Sequence, residues 1–370
     1  MRYLSTSAAC FQDGFGYKRN ALTMISSKSP ARGSLYALTL MLTAGATVVR
    51  ADVLYSDPFD TDTSANYNVY ITPGSTGPSG DVTFAYNYGA APSVGGLSIP
   101  VAPHTTDGST FGLRLRTDNL QSSVGTVVGA TEIFTKGLSL PLQYIVQVDV
   151  WSNYIGGTSI AASGSNGSTG VTLGIGSAGQ KQYIASNDGE LFEAFGDNGG
   201  GANGAYRVYT NDVSPRPVPT NTSYYAAGTS STSASNTDPY YTAFLPGVSA
   251  PAGQSSFSAT QGGTSAAGTL GFGWHTWTVT QDGTNVTWAI DGHTITTVPN
   301  SAVNFAGSQV SLGNDDTGLT GNSAANNQLF NAEIFDNFKI TTPVPEPGSL
   351  GLVALAGAGL MGRRRRRSED

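Results

Sequence analysis

The chain has 370 residues, 18 basic and 25 acidic, with a hydrophobic share of 39% and one cysteine. The basic residues crowd at the two ends: between residues 52 and 342 only seven remain against 21 acidic ones, a formal charge of −14. Such a body is a poor match for nucleic acid or an anionic membrane surface, which both need basic partners. It is compatible with cations and neutral glycans, and also with an acidic balance that serves solubility alone. The single Cys10 precedes this body, which excludes disulfides and thiolate metal sites from it.

The first 51 residues are expected to form a signal-peptide region. Lys28 and Arg32 supply a basic segment, residues 35–49 an apolar one, and Val49-Arg50-Ala51 a small-x-small cleavage site that leaves Asp52 as the new N-terminus. Export through the Sec translocon follows from this pattern. Residues 1–23 fit neither a signal nor a packed domain, which leaves two readings, a true start at Met24 or a long basic leader.

Between residues 52 and 342, Gly, Ser, Thr, Tyr and Val dominate and charge is sparse, the composition of an extracellular all-β body. Period-two alternation predicts strands in chain order. Residues 54–59 open the body. Residues 81–88 place Val82, Phe84, Tyr86 and Tyr88 on one face, and 110–116 turn Phe111, Leu113 and Leu115 inward with Arg114 and Arg116 toward water. Residues 144–150 align Tyr144, Val146, Val148 and Val150, and Val171, Leu173 and Ile175 follow. Asp282-Gly283 and Asp291-Gly292 separate three runs, 274–281, 285–290 and 293–298, and predict a three-stranded meander, because Asp-Gly supplies the positive φ of tight hairpins. The closing run, 333–340, places Ile334, Asp336, Phe338 and Ile340 together. Many strands with one apolar face each require a second sheet to bury it.

The Trp274-His275-Thr276-Trp277-Thr278-Val279 run, the following 286–290 segment into Asp291-Gly292, and the closing Ile334-Phe335-Asp336-Asn337-Phe338-Lys339-Ile340 run resemble the LamG-type domains. The resemblance implies an all-β fold, an antiparallel two-sheet jelly-roll sandwich of the concanavalin A-like kind, over most of residues 52–342. Residues 212–268, rich in Ser, Thr, Pro, Gly and Ala, are too long for an ordinary connection and read as an elaborated loop or a flexible insertion. Its tyrosine pairs, Tyr224 with Tyr225 and Tyr240 with Tyr241, are candidates to stack on sugar rings from exopolysaccharide or surface glycans, or to pack the insertion onto the sandwich.

Chemistry-bearing constellations are few. The Glu-x-Asp-x-x-Glu strand of laminarinase-type hydrolases is absent. Glu190 with Glu193, and Glu333 with Asp336, are three apart, so on a strand each pair points to opposite faces and is not a natural acid/base couple. His104, His275 and His293 lack ligand spacing, and packing or a hydrogen bond explains His275 better than zinc does. A structural Ca²⁺ shared by Asp57, Asp60, Asp62 and Asp336 would clamp the two ends of a disulfide-free sandwich; the alternative is a set of solvated turn aspartates. No catalytic residue is assigned, and a polysaccharide-acting hydrolase or lyase of the same fold is the alternative to a binding or structural module.

Residues 343–370 carry Pro345, Glu346 and Pro347, then a small and apolar stretch from Gly348 to Gly362, then Arg363, Arg364, Arg365, Arg366 and Arg367. The prolines keep the triplet extended and accessible. The apolar stretch is short for a span, which snorkelling arginines offset, and the arginines hold its end on the cytoplasmic side. This order of triplet, hydrophobic helix and arginine cluster resembles the PEP-CTERM sorting signal of Gram-negative bacteria. It implies processing by an exosortase, an inner-membrane anchor that lasts only until cleavage, and release or attachment at the cell surface.

Overall fold

The computed structural model describes residues 50–72, 80–117, 129–154, 169–178, 188–196, 205–210, 224–229, 233–316 and 329–344. Alternating apolar and polar residues build fourteen strands among them: β1 (Val53–Asp57), β2 (Tyr67–Ile71), β3 (Asp81–Asn87), β4 (Phe111–Arg116), β5 (Gly129–Thr135), β6 (Tyr144–Asn153), β7 (Thr169–Ser177), β8 (Glu190–Phe195), β9 (Tyr206–Thr210), β10 (Trp274–Gln281), β11 (Asn285–Ile290), β12 (His293–Pro299), β13 (Gln309–Asp316) and β14 (Ala332–Thr341). The larger sheet runs β12, β11, β10, β6, β14, β4, β3, with β1 beside β4 on the same edge of β14; the smaller runs β2, β5, β13, β7, β8, β9. All strand pairs are antiparallel, and the chain crosses repeatedly between the sheets as a jelly roll does.

The main core lies between the sheets. Val146, Val148, Trp277, Trp288 and Phe338 come from the larger one, and Val171, Leu173, Phe192 and Val208 from the smaller. The predicted meander is in place as β10 to β12, with Gly283 at φ 94° and Asp291 and Gly292 at φ 51° and 79°. These values lie in the left-handed region that Gly enters without steric cost. β1 pairs with β14, Asp57 standing opposite Phe338.

Register slips in β3 and β14 overturn the expected faces. In β3 the register slips between Thr83 and Tyr86, with Ala85 at φ 50°. Val82 and Phe84 therefore join the inter-sheet core, while Tyr86 and Tyr88 point to the other side of the sheet. In β14 the slip falls between Asp336 and Lys339, with Asn337 at φ 53°. Phe338 and Ile340 stay inside, but Ile334 and Asp336 lie on the outer face. A bulge inserts one residue and so reverses every later side chain, which is why the single-face expectations for residues 81–88 and 333–340 fail. Arg114 and Arg116 are also not turned to water: both pair with Asp81, and Arg114 sits 4.3 Å from the centre of the Tyr86 ring. Phe111, at the strand end, is 39% exposed and does not face inward.

The outer face of the larger sheet has its own apolar cluster, with Tyr86, Trp151 and Ile334 from strands and Tyr88, Leu97, Ile99 and Phe272 from connections. Two short helices belong to the long insertion, α1 (Pro239–Thr242) and α2 (Ala252–Phe257). Gln254 of α2 is fully buried: its Nε2 donates to the Leu97 carbonyl and to Asn153 Oδ1, both at 2.7 Å, and Gln261 Nε2 donates to its Oε1 at 2.9 Å. This amide relay ties residues 252–261 of the insertion to the sheet; residues 212–223 and 230–232 lie outside the described residues.

Candidate functional site

The first and last strands of the sandwich meet at residues 52 and 342. Asp52 N donates to Thr342 Oγ1 and Thr342 N donates to the Asp52 carbonyl, each at 2.9 Å. Ala51 is half-buried, Asp52 is exposed, and Val344 is 54% exposed at the other side of the junction. Val49, Met24, Pro345, Glu346, Pro347 and Arg363 to Arg367 lie outside the described residues. Among the described residues no helix is long and apolar enough to cross a membrane.

The four aspartates expected to share calcium do not gather around one point. Asp57 is buried on the inner side, where its Oδ1 accepts from Phe59 N at 2.8 Å and its Oδ2 from the Tyr67 hydroxyl at 2.9 Å. Asp336 lies on the opposite face of the same sheet, beyond reach of an ion held by Asp57. Asp62 is exposed and accepts from Ser64 N at 3.0 Å, which holds its carboxyl below the usual range. Only Asp60 and Asp336 are neighbours, Asp60 accepting from the Ser109 hydroxyl. Among the described residues no group of three or more His, Cys, Asp or Glu is arranged to hold a metal ion. The clamp between the ends is instead the β1–β14 pairing itself.

Asp336 belongs to a network that alternation alone does not show. Its Oδ2 accepts from the Tyr88 hydroxyl at 2.9 Å and from Thr105 Oγ1 at 3.3 Å, and its Oδ1 from Asn337 N at 2.7 Å. Opposite it in register stands fully buried Asp149, which meets His104 Nδ1 at 2.8 Å, Thr276 Oγ1 at 3.0 Å and Asn337 Nδ2 at 3.0 Å. Burial pushes the Asp336 carboxyl up to about 7, with the Asp60 charge adding to it and the hydrogen bonds from Tyr88 and Asn337 opposing it. The network pins the connection from Tyr88 to Thr110 onto the sheet.

The tyrosine pairs pack the insertion. Tyr241 is fully buried, stacked 4.4 Å from Tyr206, and its hydroxyl donates to the Ala227 carbonyl at 3.0 Å. Tyr225 is buried and accepts from Val208 N at 3.1 Å. Tyr240 is half-buried with its hydroxyl donating to the Thr294 carbonyl, and Tyr224 is half-buried. Burial removes Tyr225 and Tyr241 from reach of a sugar ring. Of the histidines, His275 is buried with Nδ1 2.7 Å from Asp291 Oδ2, and His293 stacks on Phe244.

Glu190 and Glu193 do point to opposite faces of β8. Glu190 lies inside, neither oxygen has a hydrogen-bond partner among the described residues, and burial raises its carboxyl well above the usual range. Glu193 lies on the outer face, accepting from the Tyr209 hydroxyl at 2.6 Å beside Arg207 at 3.6 Å. The pairing register sets Tyr70, Glu132, Gly313, Thr172, Glu193 and Arg207 in one row across that face, with Asp315 two residues beyond Gly313. Glu132 had no signal in the sequence, because a lone acid in an alternating strand marks only the face that is not the core.

These features define the chain as an antiparallel two-sheet sandwich carrying a sorting tail. Residues 343–367 match the PEP-CTERM protein-sorting motif. No curated protein matches the chain. Similar solved structures include a galectin-like-fold protein from Bacillus subtilis at 10% identity, covering 80% of this chain and 100% of the other, with a TM-score of 0.40. A glycoside hydrolase family 16 endo-glucanase from Bacteroides ovatus is similar at 13% identity over 78% of this chain and 100% of the other, TM-score 0.37. The potassium-bound Emp46p carbohydrate recognition domain is similar at 10% identity over 79% of this chain and 98% of the other, TM-score 0.39.

Proposed function

We propose that the chain is an exported protein, processed by an exosortase at Pro345-Glu346-Pro347, whose sandwich serves at the cell surface as a non-catalytic module associated with exopolysaccharide or other glycans. The observation that carries this is the position of the sorting motif, which begins at residue 343, directly after β14 ends at Thr341. The sandwich is thus the cargo of the tail. The acidic body supports neutral glycans over nucleic acid as partners. Fractionation of a Gram-negative host tests this: the wild-type chain is expected outside the inner membrane, and a variant with Pro345, Glu346 and Pro347 all replaced by Ala is expected to remain in it. Equal distribution of both would remove the sorting role.

A polysaccharide-acting hydrolase is the second reading, and one observation favours it. Glu132 faces Gly313 in register, so Asp315 is its diagonal neighbour on the same face of the smaller sheet. Two acids close together on one sheet face are the kind of pair that glycoside hydrolysis uses, although here both side chains are buried. Reducing-sugar release that Glu132→Gln and Asp315→Asn each abolish would establish it; no release from any polysaccharide would dismiss it.

A further inference from the structure

At one end of the sandwich, where β6 begins, β10 ends and the β12–β13 connection crosses, lies a cleft of about 330 Å³ lined by Leu140, Tyr144, Gln281, Asn300, Phe305 and Ser308, among others. This volume suits a small ligand. Its chemistry is specific in two ways. Among the described residues that line it none is charged, although the body as a whole carries a formal charge of −14. And its polar groups are amides and hydroxyls arranged beside an aromatic ring.

The amides are pre-set. Gln281 Nε2 donates to Asn300 Oδ1 at 3.1 Å, Asn300 Nδ2 returns a bond to Gln281 Oε1 at 3.0 Å, and Gly283 N donates to the same Oε1 at 2.8 Å. Each amide nitrogen has two protons and commits one to the pair, so each retains an N–H for a ligand, and Asn300 Oδ1 keeps a lone pair. The ring is pre-set too. A Cβ on Gly176 would stand 2.3 Å from Phe305 Cδ1, so only glycine lets Phe305 lie against β7. The Gly176 carbonyl accepts from Ala306 N and Gly307 N at 3.1 and 3.0 Å, which fixes the turn that carries the ring. Adjacent hydroxyls of a pyranose take one donor and one acceptor each, and its C–H face takes an aromatic ring. Rigid groups of both kinds bind at low ordering cost.

We infer that this cleft is a subsite for an uncharged pyranose unit of a glycan. The inference rests on the glycan-associated reading above and assigns that reading a place, away from the outer sheet faces. The test uses the full-length chain, with saturation-transfer NMR on methyl β-D-glucopyranoside, methyl β-D-galactopyranoside and N-acetyl-D-glucosamine, D-glucuronic acid as the charged control, and electrophoresis through gels containing a neutral glucan. Ser308→Trp adds bulk at the rim without touching the core, and Phe305→Ala removes the ring. The expected result is binding of at least one neutral sugar, weakened at least tenfold in both variants, with thermal melting of Ser308→Trp unchanged. Equal binding by wild type and variants overturns this subsite while leaving the glycan-associated reading standing. Binding of no neutral sugar and no glucan by the wild type overturns both. Preference for glucuronic acid overturns the uncharged class.

Discussion

Asp336 shows how one bulge sets a residue's chemistry. Turned outward by the slip at Asn337, its carboxyl is enclosed by Tyr88, Thr105 and Asn337 and titrates near 7. In the unfolded chain it titrates near 4. As pH rises from about 4 to about 7 the unfolded chain gives up this proton first, so stability present below that window is lost across it, and no further change comes from this group above it. Asp336→Asn should therefore flatten the dependence between pH 4 and 7 and raise stability at pH 8, by about 1–3 kcal/mol after the loss of hydrogen-bond quality is counted. Urea titrations across pH 4–8 measure it; parallel slopes for wild type and variant would show that Asp336 ionises normally.

At the scale of elements, the β10–β12 meander should be the most sensitive to turn chemistry. A Cβ on Gly292 meets nothing within 4 Å, so Gly292→Ala tests backbone strain alone; at φ 79° it should cost about 1–2 kcal/mol, read as a fall in melting temperature of about 2–6 °C. In the insertion, Gln254→Leu would strip partners from the Leu97 carbonyl, Asn153 and Gln261. It should cost about 2–3 kcal/mol and speed amide exchange in residues 88–110 and 252–261 ahead of the strands. Uniform exchange would mean that Gln254 is not the pin. The meander was legible because Asp-Gly turns and alternation are both local signals. The bulges at Ala85 and Asn337 were not, because a bulge keeps the alternation of letters while reversing the faces; Asn tolerates positive φ, but Ala gives no warning of it. Gln254 was illegible for another reason: its partners Leu97 and Asn153 lie 157 and 101 residues away, and a polar side chain in a Ser- and Gly-rich run carries no period. The aspartates misled similarly, since Asp57 and Asp336 are close along the paired strands but lie on opposite faces of them.

For the molecule as a whole, strand pairing brings the first and last strands of the sandwich, β1 and β14, together. Asp52 and Thr342 share two hydrogen bonds, which close the described ends of the sandwich on each other. Without disulfides, stability outside the cell rests on the inter-sheet core and on β1 closing β14; deletion of residues 52–57 should expose that edge and lower the melting temperature by more than 5 °C, checked by calorimetry. The most direct test of the account is intact-mass measurement of the chain recovered from outside the cells. The account predicts one species that begins at Asp52, ends close to the Pro345-Glu346-Pro347 triplet and lacks all five terminal arginines; an extracellular species that still carries Arg363 to Arg367 would contradict it.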